Sequence, residues 1–421
     1  MSADCKPESS CADARDPTAL GVDQARARIL DAIQPIEFRQ KVPLREALSR
    51  SLAQPIVSPI QVPSHTNSAM DGYALAGADL PRQGSGELTV VGQVLAGHIF
   101  DGPVETGHCV RIMTGASMPT GTDTVIMQEQ ARVRGDRILI GDRHRSGQNV
   151  RHAGEDIDVG DRVFEPGRTL IPADLGLLAS LGIGEVQVLR RPRVAFFSTG
   201  DELRSVGEPL RNGDVYDSNR YTLYGMLKRL GLEILDMGIV PDNPGRMEEA
   251  LKQAAAAADV VITSGGVSVG EADYIKRLLE TLGDMDFWKI AIKPGRPLTF
   301  GRLQDSLFFG LPGNPVAVMV TFYQFVRPAL LKLKGEKQVL PLELDALCTT
   351  ALRKRPGRAE FVRGVMETTG DGGFEVTTAG KQGSGILRSM SLANCFVVLP
   401  PRSGDVQPGD RVRVQPFASL V

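Results

Sequence analysis

Cysteine is scarce in this chain and badly placed for bridges. Five occur in 421 residues, at Cys5, Cys11, Cys109, Cys348 and Cys395, with no CxxC pair and no Cys/His ligand spacing. That argues against both a disulfide framework and a structural zinc site. An excess of one charge is missing too. Lys and Arg total 48 against 50 Asp and Glu, a net charge of −2, so nothing favours non-specific binding to nucleic acid. No apolar run reaches the ~20 residues that a membrane span needs. The start, Met1-Ser2-Ala3-Asp4-Cys5-Lys6, lacks an apolar signal core, and residues 1–17 are expected to form a mobile tail. No internal repeat is evident. The expectation is a cytoplasmic protein with neither a nucleic-acid nor a membrane partner.

The composition that remains is ordinary for a globular protein, 42% hydrophobic and 23% charged. The length allows two to four domains of roughly 100–200 residues. From Thr18 to about Arg50, apolar residues recur at intervals of three and four, as in Ala19–Leu30, and predict helix. From about Pro55 to Gly147 short β-type runs (Leu88–Val91, Asp123–Met127, Arg137–Ile140) alternate with Gly and Pro, which predicts a small β-rich domain. Residues 149–189 return to helix and loop, including Asp174–Ser180. If the two helical stretches pack together, the β-rich part is an insertion in a helical linker domain.

After Arg190-Arg191-Pro192-Arg193 the pattern becomes strand and helix in alternation. Candidate strands are Val194–Phe197, Glu233–Met237, Val260–Thr263, Phe287–Ile292 and Leu307–Gly310, with helices at Arg220–Arg229, Arg246–Ala258 and Pro315–Leu333. Such runs predict a mostly parallel sheet covered on both faces, with ligands at the carboxyl ends of its strands. From about Gln338 onward short strands and turns predict a small β-barrel or sandwich.

Each predicted strand of the middle domain runs into polar or glycine residues. The richest is Thr263-Ser264-Gly265-Gly266-Val267-Ser268-Val269-Gly270-Glu271-Ala272-Asp273, between a buried strand and a helix. Glycines let backbone N–H groups approach a ligand, and a helix start adds partial positive charge, which suits a phosphate. Asp273 beside a bare phosphate is consistent if a metal cation lies between them. The other ends carry Ser198-Thr199-Gly200-Asp201-Glu202, Pro241-Asp242-Asn243, Lys289 with Lys293-Pro294-Gly295-Arg296, and Leu311-Pro312-Gly313-Asn314-Pro315. If all face one edge, Glu202, Asp242 and Asp273 converge with Lys289, Lys293 and Arg296. Clustered carboxylates repel unless a cation neutralises them, and Mg²⁺ bridging to phosphate oxygens is the economical solution. The Lys and Arg side chains are suited to hold oxyanions.

Taken singly, most of these features have a bland reading. A Ser-Gly-Gly turn is commonly a tight βα connection, and Asn314 reads as a helix N-cap. Asp71-Gly72 reads as a turn, and Thr114 as a strand-end hydroxyl. Gly357–Gly364 and Gln382–Leu387 read as hairpin elements. Five loops with coherent chemistry on one edge favour a site.

Together the motifs do more. Ser68-Ala69-Met70-Asp71-Gly72-Tyr73-Ala74, Ser198-Thr199-Gly200-Asp201-Glu202-Leu203, Ser264–Tyr274, Lys293-Pro294-Gly295, Leu311–Val316 and Gly383-Ser384-Gly385 occur in that order. The conjunction is highly specific and closely resembles the molybdopterin molybdenumtransferase family, related to the E domain of gephyrin, over roughly Ala19 to the C-terminus. One departure is Arg296, where the family commonly has lysine. The resemblance implies a multidomain α/β fold. Its parts are a helical linker and dimerisation domain (18–54 and 148–190), a β-rich inserted domain (55–147), a mostly parallel-sheet α/β domain of the MoaB/Mog kind (191–335) and a C-terminal β-barrel domain (336–421).

The resemblance further implies insertion of molybdate into adenylylated molybdopterin with release of AMP, by a Mg²⁺-dependent homodimer. Its active site lies between the α/β domain of one subunit and other domains of its partner. Catalytic acids fall on Asp71, Glu202, Asp242 and Asp273, with Asp242, Asp273 and Glu202 toward the metal. Substrate-binding positions fall on Thr114, Thr199, Gly265, Gly266, Ser268, Lys289, Lys293, Arg296, Pro312, Asn314, Arg363 and Ser384. Implied partners are molybdopterin adenylyltransferase and molybdoenzyme acceptors. Two rival readings are an ATP-dependent molybdopterin adenylyltransferase, which shares the α/β domain, and a non-enzymatic scaffold of the gephyrin type.

Overall fold

A computed structural model describes residues 18–265 and 273–417. These divide into two compact units. One is built from the chain up to Gln40, Ser49–Ser51 and Leu189 onward; the other is built from Lys41–Leu48 and Leu52–Val188.

The first unit centres on six strands: β1 (Arg193–Thr199), β2 (Glu233–Val240), β3 (Val260–Ser264), β4 (Gly283–Lys289), β5 (Pro297–Leu303) and β6 (Ser306–Leu311). They lie in the order β2-β1-β3-β6-β5-β4. The first four are parallel, while β5 runs antiparallel to both β6 and β4. Period-two alternation explains why the central strands read as unbroken apolar runs. Val194, Phe196, Val260, Ile262 and Phe309 enter one core, and Ala195, Phe197, Val261 and Phe308 enter the core on the opposite face.

Helices cover both faces. Ser218–Arg229 brings Leu223, Met226 and Leu227 to the first core, and Pro244–Ala257 brings Met247, Leu251 and Ala254 to the second. Each is capped as its sequence demands, with the Asp217 carboxylate accepting from the Arg220 N–H and Asn243 from the Arg246 N–H. The run Pro315–Leu333 is helical throughout, with a π-helical turn at Phe322–Val326. Among the described residues it is the one helix long and apolar enough to cross a membrane, and 83% of its most apolar window is buried inside the protein.

Five strands (Leu344–Cys348, Ala359–Thr368, Phe374–Thr378, Cys395–Leu399 and Arg411–Pro416) close into a barrel, the seam being the parallel pairing of Leu347–Cys348 with Glu375–Val376. The short strand Ile292–Lys293 pairs in parallel with Ala359–Glu360 and joins this barrel to the α/β sheet.

In the second unit a six-stranded sheet runs in the order Thr124–Met127, Gly72–Leu75, His108–Ile112, Ser85–Val94, Arg137–Gly141, Arg132–Arg134. Beside it a small core forms from Val42, Leu52, Phe164, Leu178, Val186 and Val188.

The two helical stretches of the sequence share a core only in part: Val42 and Ala47 of the first pack with Leu170, Leu178, Val186 and Val188 of the second, while their helices lie in different cores. Helix Val22–Asp31 buries Val22, Ala25 and Ile29 in the first unit's core, and helix Pro172–Ser180 places Leu178 in that of the second. A three-four stripe tells which face is buried, not against what.

Candidate functional site

The parallel register places the strand ends at one edge. Ser198 lies opposite Ser264, Thr199 opposite Val240, and Ser264 opposite Leu311. Because β4 is antiparallel to β5 and β5 to β6, β4 runs with the parallel strands and Lys289 ends at the same edge. The turn that follows is closed by the Ile290 N–H donating to the Arg296 carbonyl at 2.7 Å, so Lys293 and Arg296 also lie there. The Lys293 ammonium is 3.2 Å from the buried Glu360 carboxylate, a counter-ion that sequence reasoning did not foresee.

Gly265 and Gly200 show why this edge uses glycine. Gly265 has φ +94°, and a Cβ there would fall 2.6 Å from the Thr199 carbonyl oxygen. Its own N–H donates to the Leu311 carbonyl at 3.1 Å, tying the β3 and β6 ends together. Gly200, at φ +149°, makes room for the Glu202 carboxylate, whose Oε2 would lie 2.6 Å from an added Cβ. Glu202 and Asp242 are both exposed. The Asp242 N–H donates to Asp201 Oδ1 at 3.1 Å, which couples the first two strand ends.

Gly266 and Ser268 lie outside the described residues. Asp273 opens helix Asp273–Leu282, and its side chain is likewise outside them. Among the described residues, no group of three or more His, Cys, Asp or Glu side chains is placed to hold a metal. That arrangement still fits Mg²⁺, which is commonly held by one or two carboxylates plus substrate phosphates rather than by an all-protein cage. Glu202 and Asp242 offer such exposed oxygens.

Pro312 is buried and Asn314 exposed. Asn314 occupies the N-cap position of the helix beginning at Pro315, but its side chain makes no capping bond. The orphan Val316 N–H donates instead to the Ser384 carbonyl at 3.1 Å, which brings the Gly383-Ser384-Gly385 loop onto this helix start. Arg363, only 1% exposed, props that loop from below. Its Nε donates to Ser389 Oγ (3.1 Å), and its Nη2 to the carbonyls of Gly383 (3.0 Å) and Lys381 (3.3 Å). Burial lowers the guanidinium pKa to about 10.

Two side chains absent from the sequence reading also belong here. Asp217 Oδ1 accepts from Ser198 Oγ at 3.0 Å, and Asn219 Nδ2 donates to Ser264 Oγ (2.9 Å) and to the Gly313 carbonyl (2.7 Å). Asp217-Ser218-Asn219 heading a helix was the available signal, but it is indistinguishable from an ordinary cap.

In the second unit the structure brings Asp71 and Thr114 together. Asp71 Oδ1 accepts from the Thr114 N–H and hydroxyl, both at 2.7 Å. These bonds, the backbone one foremost, hold the Asp71 carboxyl below its ordinary pKa. Gly72 is no hairpin turn: it starts a strand, and a Cβ would lie 2.0 Å from the Ile126 carbonyl oxygen.

Three family descriptions cover nearly the whole chain. "MoeA N-terminal region (domain I and II)" matches residues 20–182, "Probable molybdopterin binding domain" residues 195–332, and "MoeA C-terminal region (domain IV)" residues 345–417. A molybdopterin molybdenumtransferase of Haemophilus influenzae is 46% identical over 404 residues, 96% of this chain and 100% of that protein. The chain belongs to the MoeA family. Another member, a molybdopterin molybdenumtransferase of Nostoc sp., is 37% identical over 91% of this chain and 89% of that one. A MoeA crystal structure from Pyrococcus horikoshii superposes with a TM-score of 0.83 at 31% identity, covering 94% of this chain and 100% of the other. The three matched regions follow the MoeA order of an N-terminal part, an α/β part and a barrel.

Proposed function

We propose that this chain inserts molybdate into adenylylated molybdopterin and releases AMP, the activity expected of a molybdopterin molybdenumtransferase. The observation that carries the reading is that one edge of a single sheet carries Glu202 and Asp242, the Gly265 turn and the Lys289–Arg296 turn. A substrate with two linked phosphates and a pterin, reacting with a dianionic metal oxide, asks for this mixture of cations and carboxylates.

The Gly265 turn and the Pro312-Gly313-Asn314 turn would seat the phosphates by backbone N–H groups. Lys289, Lys293 and Arg296 would offset phosphate and molybdate charge, and Ser384, carried on the loop that Arg363 supports, would close the cleft from the barrel side. Asp242 and Glu202, with Asp273, would hold Mg²⁺, which supplies neutralising charge to the phosphoanhydride when bound. No protein nucleophile is needed, so orientation and electrostatics account for the catalysis.

We place the protein in the cytoplasm as a homodimer. In this reading Asp71, oriented by Thr114, completes the site of a second copy, and the product passes to molybdoenzyme acceptors. The test is a reaction of adenylylated molybdopterin with molybdate in the absence of ATP. AMP and molybdenum cofactor should appear together. Formation of adenylylated pterin from ATP, without molybdate insertion, would assign the chain to the adenylyltransferase class. Clustering of a partner protein with no AMP formed would assign it to scaffolds.

A further inference from the structure

The helix Ser218–Arg229 has an exposed face, a core face and, at its first turn, a set of bonds that fit neither purpose. Asn219 is 9% exposed, yet it makes no intrahelical side-chain bond. Its amide nitrogen bridges Ser264 Oγ on the last residue of β3 and the Gly313 carbonyl beyond β6. The orientation of the amide is fixed by chemistry. A carbonyl only accepts, so turning the amide over would put two acceptors 2.7 Å apart. Two residues earlier Asp217, 2% exposed, holds Ser198 at the end of β1. One helix start therefore pins the ends of three adjacent parallel strands.

The arrangement costs stability. Among the described residues, Asn219 Oδ1, Asp217 Oδ2 and Thr199 Oγ1 are buried without a hydrogen-bond partner. Each such atom is destabilising unless a partner reaches it. A core selected for stability alone would replace them with apolar groups, whereas polar atoms left unsatisfied at a strand edge are typical of sites where geometry matters more. The two turns bridged by Asn219 are those to which the phosphates are assigned above. They lie close together: a Cβ added to Gly313 would be 3.9 Å from the Gly265 Cα. A change of a few tenths of an ångström in their spacing would alter the seat assigned above to the phosphates.

We propose that Asn219 is a positioning residue for substrate binding. It sets the spacing of the Gly265 and Gly313 turns from behind, without touching the ligand. This rests on the transferase reading above, and it deepens that reading by naming what shapes the phosphate seat.

Two measurements on Asn219→Ala and the isosteric Asn219→Asp separate the alternatives. In steady-state AMP release, KM for adenylylated molybdopterin should rise about tenfold or more while kcat stays within about threefold. In amide hydrogen exchange, the Gly265 N–H, which donates to Leu311, should exchange at least about tenfold faster, with exchange in β1 unchanged. Ser264→Ala should raise KM in the same direction, and the double variant should be no worse than Asn219→Ala alone. A lowered Tm with KM and Gly265 exchange both unaltered would mean that Asn219 only stabilises the fold, and would overturn the proposal. If the wild type releases no AMP, the transferase reading fails by itself. Gly265 exchange still decides the positioning role: faster exchange upholds it, and unchanged exchange overturns it.

Discussion

At the scale of single residues, exposed carboxylates and buried cations behave in opposite ways. Asp71 is solvent-exposed, yet two bonds from Thr114 lower its pKa. A depressed carboxylate pKa means that the stabilisation from this pairing is fully present above the unfolded value of about 3.9 and is lost as pH falls through the folded value. In Thr114→Val the hydroxyl donor goes and the larger backbone contribution stays. The Asp71 pKa, followed by NMR titration, should therefore rise but remain below the unfolded value. A return to the unfolded value would show that the hydroxyl carries the whole effect. Arg363 is the reverse case, a buried cation whose three hydrogen-bond acceptors are all inside the barrel domain. Arg363→Met would leave those acceptors unsatisfied and should cost about 3 kcal/mol in urea unfolding. Its effect on substrate binding should come through displacement of the Ser384 loop.

Elements show where glycine is compulsory and how far sequence reading reaches. Gly72→Ala would drive a methyl into the Ile126 carbonyl inside the strand pair Gly72–Leu75 and Thr124–Met127. Separation of those strands should destabilise the second unit by at least about 2 kcal/mol, read as a lower midpoint in denaturant. β1, β3 and β6 were legible as apolar runs because both of their faces are buried. β5 was missed: it opens on Pro297 and follows a turn, so its pattern merged with the loop. β4 begins earlier than its apolar run, since Asp284 and Asp286 face outward on the sheet edge and mask the first half of the strand. The helix Val22–Asp31 was legible but its partner was not, because amphipathic spacing carries no address. For the site, the strand-end loops announced themselves by glycine and charge. Asp201, Asp217, Asn219 and Glu360 did not, since each acts by holding a neighbour, and a holding residue has no sequence signature beyond that of a cap or an ion pair.

The whole molecule poses a question of completeness. The first unit carries Glu202, Asp242, the lysines and the Ser384 loop, and the second carries the Asp71–Thr114 pair. If Asp71 serves the site of a second copy, Asp71→Ala and Asp242→Ala chains should each be inactive alone and active when co-expressed. At equal mixing half of the dimers are mixed and each holds one intact site, so roughly a quarter of the wild-type rate should return. No recovery would mean that each chain works with its own Asp71 or without it. The central claim, that the carboxyl edge of the parallel sheet is where the phosphoanhydride is opened, is tested most directly by one rate. AMP release from adenylylated molybdopterin, with saturating molybdate and Mg²⁺, should fall at least about a hundredfold in Asp242→Ala while the unfolding midpoint stays within a few degrees of wild type. Undiminished AMP release by that variant would contradict the account.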